Sequence, residues 1–428
     1  MRLTEKQQQM LDGEYGRGTQ RSIEMLIRVG EVFDAADMVP VRSSHLVIPE
    51  MSLFFNNEAA EWGREITRPL MEDVKRFAVP STTNALMLDL EKADALRIPR
   101  SFVKEMKQTF DESKAEYEGR GAIPNYSCTP FFDFFYRRGD HLGGAESVQI
   151  LFNNSFNGAR VNRETGATAL AVAVTGVTPR YGLHLKENRY GQVLIEIDRE
   201  LTGEKLNDAD YNAIGYYVGR VAVDRIPVFR GLPRDMDETD CKYLCVPLAV
   251  SAGIGLIHVE GVTPEADSLE MAFGGRKPKD RFVIGKKELK SSYERLNTAK
   301  GEKMDYVALG CPHCSLNELR EIAALLEGKT VNPNVVLLVA TSTIKYKLGQ
   351  QMGIVETIES SGGVVVSGMC PGSTIFGRYG KELGVRTVAT NSAKNAHYIG
   401  AHSGGCVGTH FGSMRQCIEA ALTGRWRS

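Results

Sequence analysis

Tyr306-Val307-Ala308-Leu309-Gly310-Cys311-Pro312-His313-Cys314-Ser315-Leu316-Asn317-Glu318 is the stretch that decides the fold. Tyr306 to Leu309 is a short continuous apolar run, as expected of a strand buried on both faces. Ser315-Leu316-Asn317-Glu318 has capping-box spacing and opens a helix to about residue 326. Beyond it come a second apolar strand at 335–340, a helix around 344–360, Gly362-Gly363, a strand at 364–366 and a further strand segment at 385–390. Strand and helix alternate at the spacing of a parallel sheet with helices on both faces. Cys311 and Cys370 each fall immediately after a strand of that sheet, so their thiols are expected in the crevice where open α/β sheets do chemistry.

Working outward, a third cysteine has a similar setting. Asn125-Tyr126-Ser127-Cys128-Thr129-Pro130 and Gly368-Met369-Cys370-Pro371-Gly372-Ser373 share with Gly310-Cys311-Pro312 a thiol beside proline or glycine. Three thiols in unrelated segments imply a site assembled by folding, and exclude a zinc finger. Three thiolates without a fourth would leave an iron-sulfur cluster with one iron open to substrate or water. Cys314 offers a fourth ligand through Cys311-x-x-Cys314, a spacing that is equally a redox motif. Each cysteine taken alone reads as a small buried hydrophobe.

The 428 residues exceed what one hydrophobic core organises. The expected division is 1–125, an N-terminal helical and α/β region; 126–300, a middle α/β domain; and 301–428, a C-terminal α/β domain carrying two of the cysteines. Lys+Arg number 52 against 53 Asp+Glu, a net charge of -1. No basic field is available for nucleic acid or an anionic membrane, whereas a small anionic substrate needs only a local cation. No segment reaches membrane-spanning length, no apolar leader follows Met1, and the 8 cysteines are too sparse for a disulfide framework, so a cytoplasmic protein is expected. Neither a Gly-x-Gly-x-x-Gly after a strand nor a phosphate loop ending in Gly-Lys-Ser/Thr occurs. Residues 4–11, 20–33 and 58–76 read as helices, 107–119 as a polar linker, and Phe131-Phe132-Asp133-Phe134-Phe135-Tyr136 as packing. Segment 77–84 reads as a strand delivering the hydroxyls of Ser81, Thr82 and Thr83 and the amide of Asn84 into a turn.

Longer segments identify a relationship. Leu11-Asp12-Gly13-Glu14-Tyr15-Gly16, Val79-Pro80-Ser81-Thr82-Thr83-Asn84, Cys128-Thr129-Pro130, Gly158-Ala159-Arg160-Val161-Asn162-Arg163-Glu164, Tyr181-Gly182-Leu183-His184-Leu185-Lys186-Glu187-Asn188-Arg189, Gly310-Cys311-Pro312-His313, Gly368-Met369-Cys370-Pro371 and Thr390-Asn391-Ser392-Ala393-Lys394-Asn395-Ala396-His397-Tyr398 span almost the whole chain. Together they resemble the large, catalytic subunit of aconitase X, a family of hydro-lyases related to aconitase. The resemblance implies a multi-domain aconitase-like α/β fold, with parallel sheets flanked by helices and the active site between domains. It further implies that Cys128, Cys311 and Cys370 ligate a cluster, 4Fe-4S or 2Fe-2S, and that a small swivelling subunit supplies a catalytic serine. One departure is visible. Where the family commonly has a histidine followed by Ser-Gly, this chain has Ser43-Ser44-His45-Leu46-Val47-Ile48-Pro49-Glu50, which matches the histidine and lacks the glycine.

Dehydration needs a base for a carbon-bound proton, an acid or metal for the departing hydroxide, and groups that fix the substrate's anion. Arg160 and Arg163 are candidates for the anion because a guanidinium matches a carboxylate bidentately. His313, beside a ligand cysteine, is a candidate donor to sulfur or substrate, and Lys394 and His397 are candidates for orienting substrate. His45, Ser81, Thr82, Thr83, Asn84, Glu146, Asn162 and Ser392 complete the expected substrate-binding set, with Glu164 a weaker candidate. The family's substrates make cis-3-hydroxy-L-proline the favoured expectation. (R)-5-phosphomevalonate is the alternative and would need a phosphate pocket, for which Gly274-Gly275-Arg276-Lys277 is the candidate; a divergent hydro-lyase is a further one. Outside the family, a thiol redox protein using Cys311 and Cys314, or a scaffold without activity, is the competing class.

Overall fold

The computed structural model describes residues 1–49, 57–202, 205–372, 375–376 and 380–427. Glu50 and Ser373, quoted above in the His45 and Cys370 segments, lie outside the described residues.

The 306–411 region forms a five-stranded sheet in the order Val364–Ser367, Val336–Thr341, Tyr306–Cys314, Thr387–Thr390, Gly408–Phe411, with every neighbouring pair parallel. The chain builds outward from Tyr306–Cys314 on one side, then returns and builds on the other. Strand order therefore reverses between Tyr306–Cys314 and Thr387–Thr390, and a crevice opens at the carboxyl ends of such a pair. Alternate side chains enter opposite cores. Val307, Leu309, Leu337 and Val339 pack with Leu319 and Ile322, while Ala308, Leu338, Ala340 and Val366 pack with Phe376 and Ile399. Burial on both faces is why these strands read as unbroken apolar runs.

The same winding occurs twice more. One sheet has the order Ala122–Ile123, Ser81–Thr83, Ser44–Leu46, Gly143–Gly144; another has Asp280–Ile284, Val193–Ile197, Pro227–Arg230, His258–Val259. Both are parallel throughout. In each, the chain's first strand is flanked by its second on one side and its fourth on the other. The result is a multi-domain α/β fold of parallel sheets flanked by helices, as the alternation predicts.

Several local expectations are corrected. Residues 107–119 are no linker; they complete the helix Arg100–Glu118, whose polar composition conceals a buried stripe of Met106, Phe110, Ser113 and Tyr117 at helical spacing. The helix expected over 344–360 is two, Thr343–Gln351 and Ile354–Ser360, because Gly353 turns the chain at φ 72°. The one expected over 58–76 ends at Thr67 and passes into a 3-10 turn at Arg68–Met71, which contains Pro69. Cys311 lies inside its strand rather than after it. Register slips between Leu309 and Cys314, where Gly310 adopts φ 92° and a Cβ would stand 2.1 Å from the Ala340 carbonyl oxygen. The aromatic run packs only in part: Phe131 stacks on Phe152 with centroids 4.0 Å apart, whereas Phe135 is 97% exposed.

Candidate active site

Carboxyl ends of two different sheets lead into one cavity of about 240 Å³. Asn84, Cys128 and Glu146 follow strands Ser81–Thr83, Ala122–Ile123 and Gly143–Gly144 of one sheet; Cys370 and Lys394 follow Val364–Ser367 and Thr387–Thr390 of the other, and Cys311 lies near the carboxyl end of Tyr306–Cys314. The site thus sits at the strand-order reversal of both sheets. No described residue between 191 and 294 lines it.

All three thiols named from the sequence border this cavity. Burial pushes the Cys128 thiol up to about 12 against the pull of the Lys394 ammonium, and burial likewise raises Cys311. The backbone N–H of His313 donates to Cys128 Sγ at 3.3 Å. Gly372 borders Cys311 and Asn395: a Cβ there would lie 3.9 Å from Cys311 Sγ and 2.1 Å from Asn395 Oδ1, so a side chain would fill the cradle. Cys314 instead joins the hydrophobic core with Leu319 and Val339. Among the described residues, no three His, Cys, Asp or Glu side chains converge to hold a single metal ion.

Lys394 supplies the cavity's ammonium and Glu146 its carboxylate, paired at 3.0 Å. Burial works to raise the Glu146 carboxyl, but the facing ammonium wins and holds it below the usual glutamate value. Burial correspondingly works to lower Lys394, and Glu146 overcomes it, so the ammonium is held far into its charged form. The helix Ala393–His402, N-capped by Ser392, presents Lys394, Asn395, Tyr398 and His402 to the cavity. Asn395 Nδ2 donates to Thr390 Oγ1 at 3.3 Å, while its buried Oδ1 has no hydrogen-bond partner among the described residues. Tyr398 stacks on His402 with centroids 5.0 Å apart.

The remaining sequence candidates stand elsewhere. His397 points to the Tyr216 hydroxyl, 3.2 Å from its Nδ1. His313 is fully buried and braces the site: its Nε2–H donates to the Met369 carbonyl at 2.8 Å, and burial lowers its pKa to about 4. His45 pairs with Thr82 Oγ1 at 2.7 Å, lowered to about 4 by burial. Ser81 donates to the Val79 carbonyl and Thr83 to that of Ile123, so these hydroxyls serve the backbone and only Asn84 of that run lines the cavity. Arg160 donates to the His184 carbonyl at 2.9 Å, and Asn162 to that of Tyr181 at 3.1 Å. Arg163 donates to the Ala252 carbonyl at 3.3 Å and lines, with Asn162, Arg276 and Lys277, a cleft of about 530 Å³ that shares no lining residue with the cysteine cavity. Sequence reading missed Asn395, Tyr398 and His402. The spacing 394, 398 and 402 on one helix was the available signal, since residues four apart share a face.

No helix among the described residues is long and apolar enough to cross a membrane. Three family models match in succession: aconitase X first domain over residues 1–187, second domain over 191–294 and third domain over 304–423. The phosphomevalonate dehydratase large subunit of Methanocaldococcus jannaschii is 34% identical over 409 residues, covering 93% of this chain and 95% of that protein. The cis-3-hydroxy-L-proline dehydratase of Pseudomonas aeruginosa is 31% identical over 428 residues, covering 99% of this chain and 70% of that protein. The crystal structure of Thermococcus kodakaraensis aconitase X in its holo-form superposes with a TM-score of 0.83 at 28% identity, covering 98% of this chain and all of that one. With matching models across nearly its full length and the same fold, this chain belongs to the aconitase X family.

Proposed function

We propose that this chain is the large subunit of a hydro-lyase that dehydrates a small hydroxy acid carrying one carboxylate and a basic nitrogen, with cis-3-hydroxy-L-proline as substrate. The observation that carries the substrate class is the charge of the cavity. Its described lining offers one ammonium, Lys394, and one carboxylate, Glu146, together with the acceptor Asn395 Oδ1. An amino acid's carboxylate and ammonium match that set one for one, whereas a substrate bearing both carboxylate and phosphate meets a single lysine.

Cys128, Cys311 and Cys370 would hold an iron-sulfur cluster, as soft thiol donors spaced around one cavity rather than converging on one ion. When bound, such a cluster with three protein ligands supplies a Lewis-acidic iron with an open position. The chain's own residues divide the remaining work. Lys394 fixes the substrate carboxylate, Glu146 and Asn395 accept from its nitrogen, and Asn84 and the Tyr398 hydroxyl offer hydrogen bonds to the hydroxyl that departs. Dehydration also needs a base for the carbon-bound proton, and a small partner subunit carrying a serine is proposed to bring it.

A second reading, the large subunit of a phosphomevalonate dehydratase, has a specific observation in its favour. The relative so named from M. jannaschii is matched over 95% of its length. The deciding experiment is an anaerobic assay of the chain co-expressed with its small subunit, against both compounds. Turnover of cis-3-hydroxy-L-proline with loss of one water is expected. Turnover of (R)-5-phosphomevalonate alone would overturn the substrate assignment, and a protein colourless and free of iron would overturn the cluster.

A further inference from the structure

The region from 191 to 294 contributes no described side chain to the cavity, yet two of its helices send polar groups to the back of the thiol segments. Lys242 and Tyr243 lie on the helix Glu238–Ser251, and Asp208 opens the helix Asp208–Ala222. The Lys242 ammonium is fully buried and paired with Glu318 of the helix Leu316–Leu326 at 2.5 Å, the side chains being 0% and 2% exposed. It also reaches the His313 carbonyl at 3.5 Å. Glu318 accepts in addition from the Tyr243 hydroxyl and from the Ser315 N–H at 2.8 Å. Asn391 Nδ2 donates to the Tyr243 oxygen at 2.8 Å and to Asp208 Oδ2 at 2.9 Å, and Asp208 also accepts from the Met414 N–H at 2.9 Å.

This network has two ends, and each abuts an element that lines the thiol cavity. One end is His313: its N–H donates to Cys128 Sγ, its imidazole to the carbonyl of Met369 next to Cys370, and Cys311 lies on its own strand. The other end is Asn391, which precedes Ser392, the N-cap of the helix Ala393–His402 that brings Lys394 and Asn395 into the cavity lined by Cys311. Burying an ion pair yields little stability compared with apolar side chains of the same volume, so stability alone is a poor reason for such a group. Its positional value is specific, because a charge with all its hydrogen bonds satisfied tolerates one geometry.

We infer that Lys242, Tyr243 and Glu318 are positioning residues, through which the region 191–294 sets the relative placement of thiols contributed entirely by the other two. The inference rests on the cysteine cavity being the active site. It assigns separate effects to the two ends. Tyr243→Phe breaks the link between Glu318 and Asn391, leaving the Lys242–His313 end in place. Lys242→Met with Glu318→Leu removes the ion pair as a unit and avoids an unpaired buried charge.

The test is the rate at which each thiol of the metal-free chain reacts with iodoacetamide, read by peptide mass spectrometry, with exposed Cys406 as internal reference. Tyr243→Phe is expected to raise the rate at Cys311 by about ten-fold or more while leaving Cys128 within about two-fold of the parent. The double variant is expected to raise both, with a melting temperature within about 3 °C of the parent. Parent-like rates at Cys311 and Cys128 in a double variant of parent-like melting temperature would overturn the inference. So would Tyr243→Phe affecting both thiols equally, the mark of general loosening. Because these rates are read without metal, they decide the positioning role whether or not the parent carries iron.

Discussion

Replacing Lys394 by Met leaves Glu146 buried without its counter-ion, and the cost can be worked from the geometry. At the observed 3.0 Å, an effective dielectric of about 20 gives a gross attraction of about 5 kcal/mol. Part of that is offset in the parent by desolvation, and loss of one partner of a buried pair costs about 3–5 kcal/mol. The cost depends on pH. In the parent, Lys394 holds the Glu146 carboxyl below its ordinary value, so its stabilisation is present above the unfolded-state pKa near 4.5 and is lost as pH falls through the folded value. In Lys394→Met, burial acts unopposed by that ammonium and raises the carboxyl, so stability is lost as pH rises instead. The two curves therefore diverge upward in pH. Urea unfolding of the metal-free protein at pH 5 and pH 8 reads the difference. For a slope of about 3 kcal/mol/M, a loss of about 3 kcal/mol lowers the midpoint by about 1 M at pH 8, and by clearly less at pH 5. Lys394→Met with Glu146→Gln should recover most of the loss at pH 8. A midpoint drop that is equal at both pH values, or a double variant no better than the single, would refute the paired-charge account.

Two further outcomes are expected. Cys128→Ser, Cys311→Ser and Cys370→Ser should each remove most of the iron and acid-labile sulfide from anaerobically purified protein, while Cys314→Ser, whose thiol packs in the core, should retain both; full iron in the first three would show that the cavity thiols are not ligands. Glu164, whose carboxylate accepts from the Gly144 N–H at 2.9 Å and from the Thr178 hydroxyl at 3.2 Å, is raised to about 7 by burial. Its contribution is present below the unfolded-state pKa and lost as pH rises through the folded one, so Glu164→Gln should gain stability over the parent between pH 5 and pH 8, by up to about 3 kcal/mol; a difference that does not change with pH would contradict this.

What the sequence by itself determined is what local pattern encodes. The apolar runs of the 306–390 region and the capping box at Ser315 marked a parallel sheet wound with helices, because buried strands and helix starts are written in consecutive residues. The settings of Cys128, Cys311 and Cys370 named three thiols that the fold then placed around one cavity. Lys394 and Glu146 were also legible as residues, though not as a pair, for they are 248 positions apart. Tertiary structure alone decided which polar groups face the cavity and which satisfy the backbone. Ser81, Thr83, Arg160 and Arg163 looked like ligand groups and spend their donors on carbonyls, since a buried carbonyl takes whatever donor the fold brings to it. Asn395, Tyr398 and His402 became visible only when one face of the helix Ala393–His402 was turned toward the thiols. The Lys242–Glu318 pair was invisible for the same reason: its partners lie 76 residues apart, and a long-range contact leaves no periodicity in the chain.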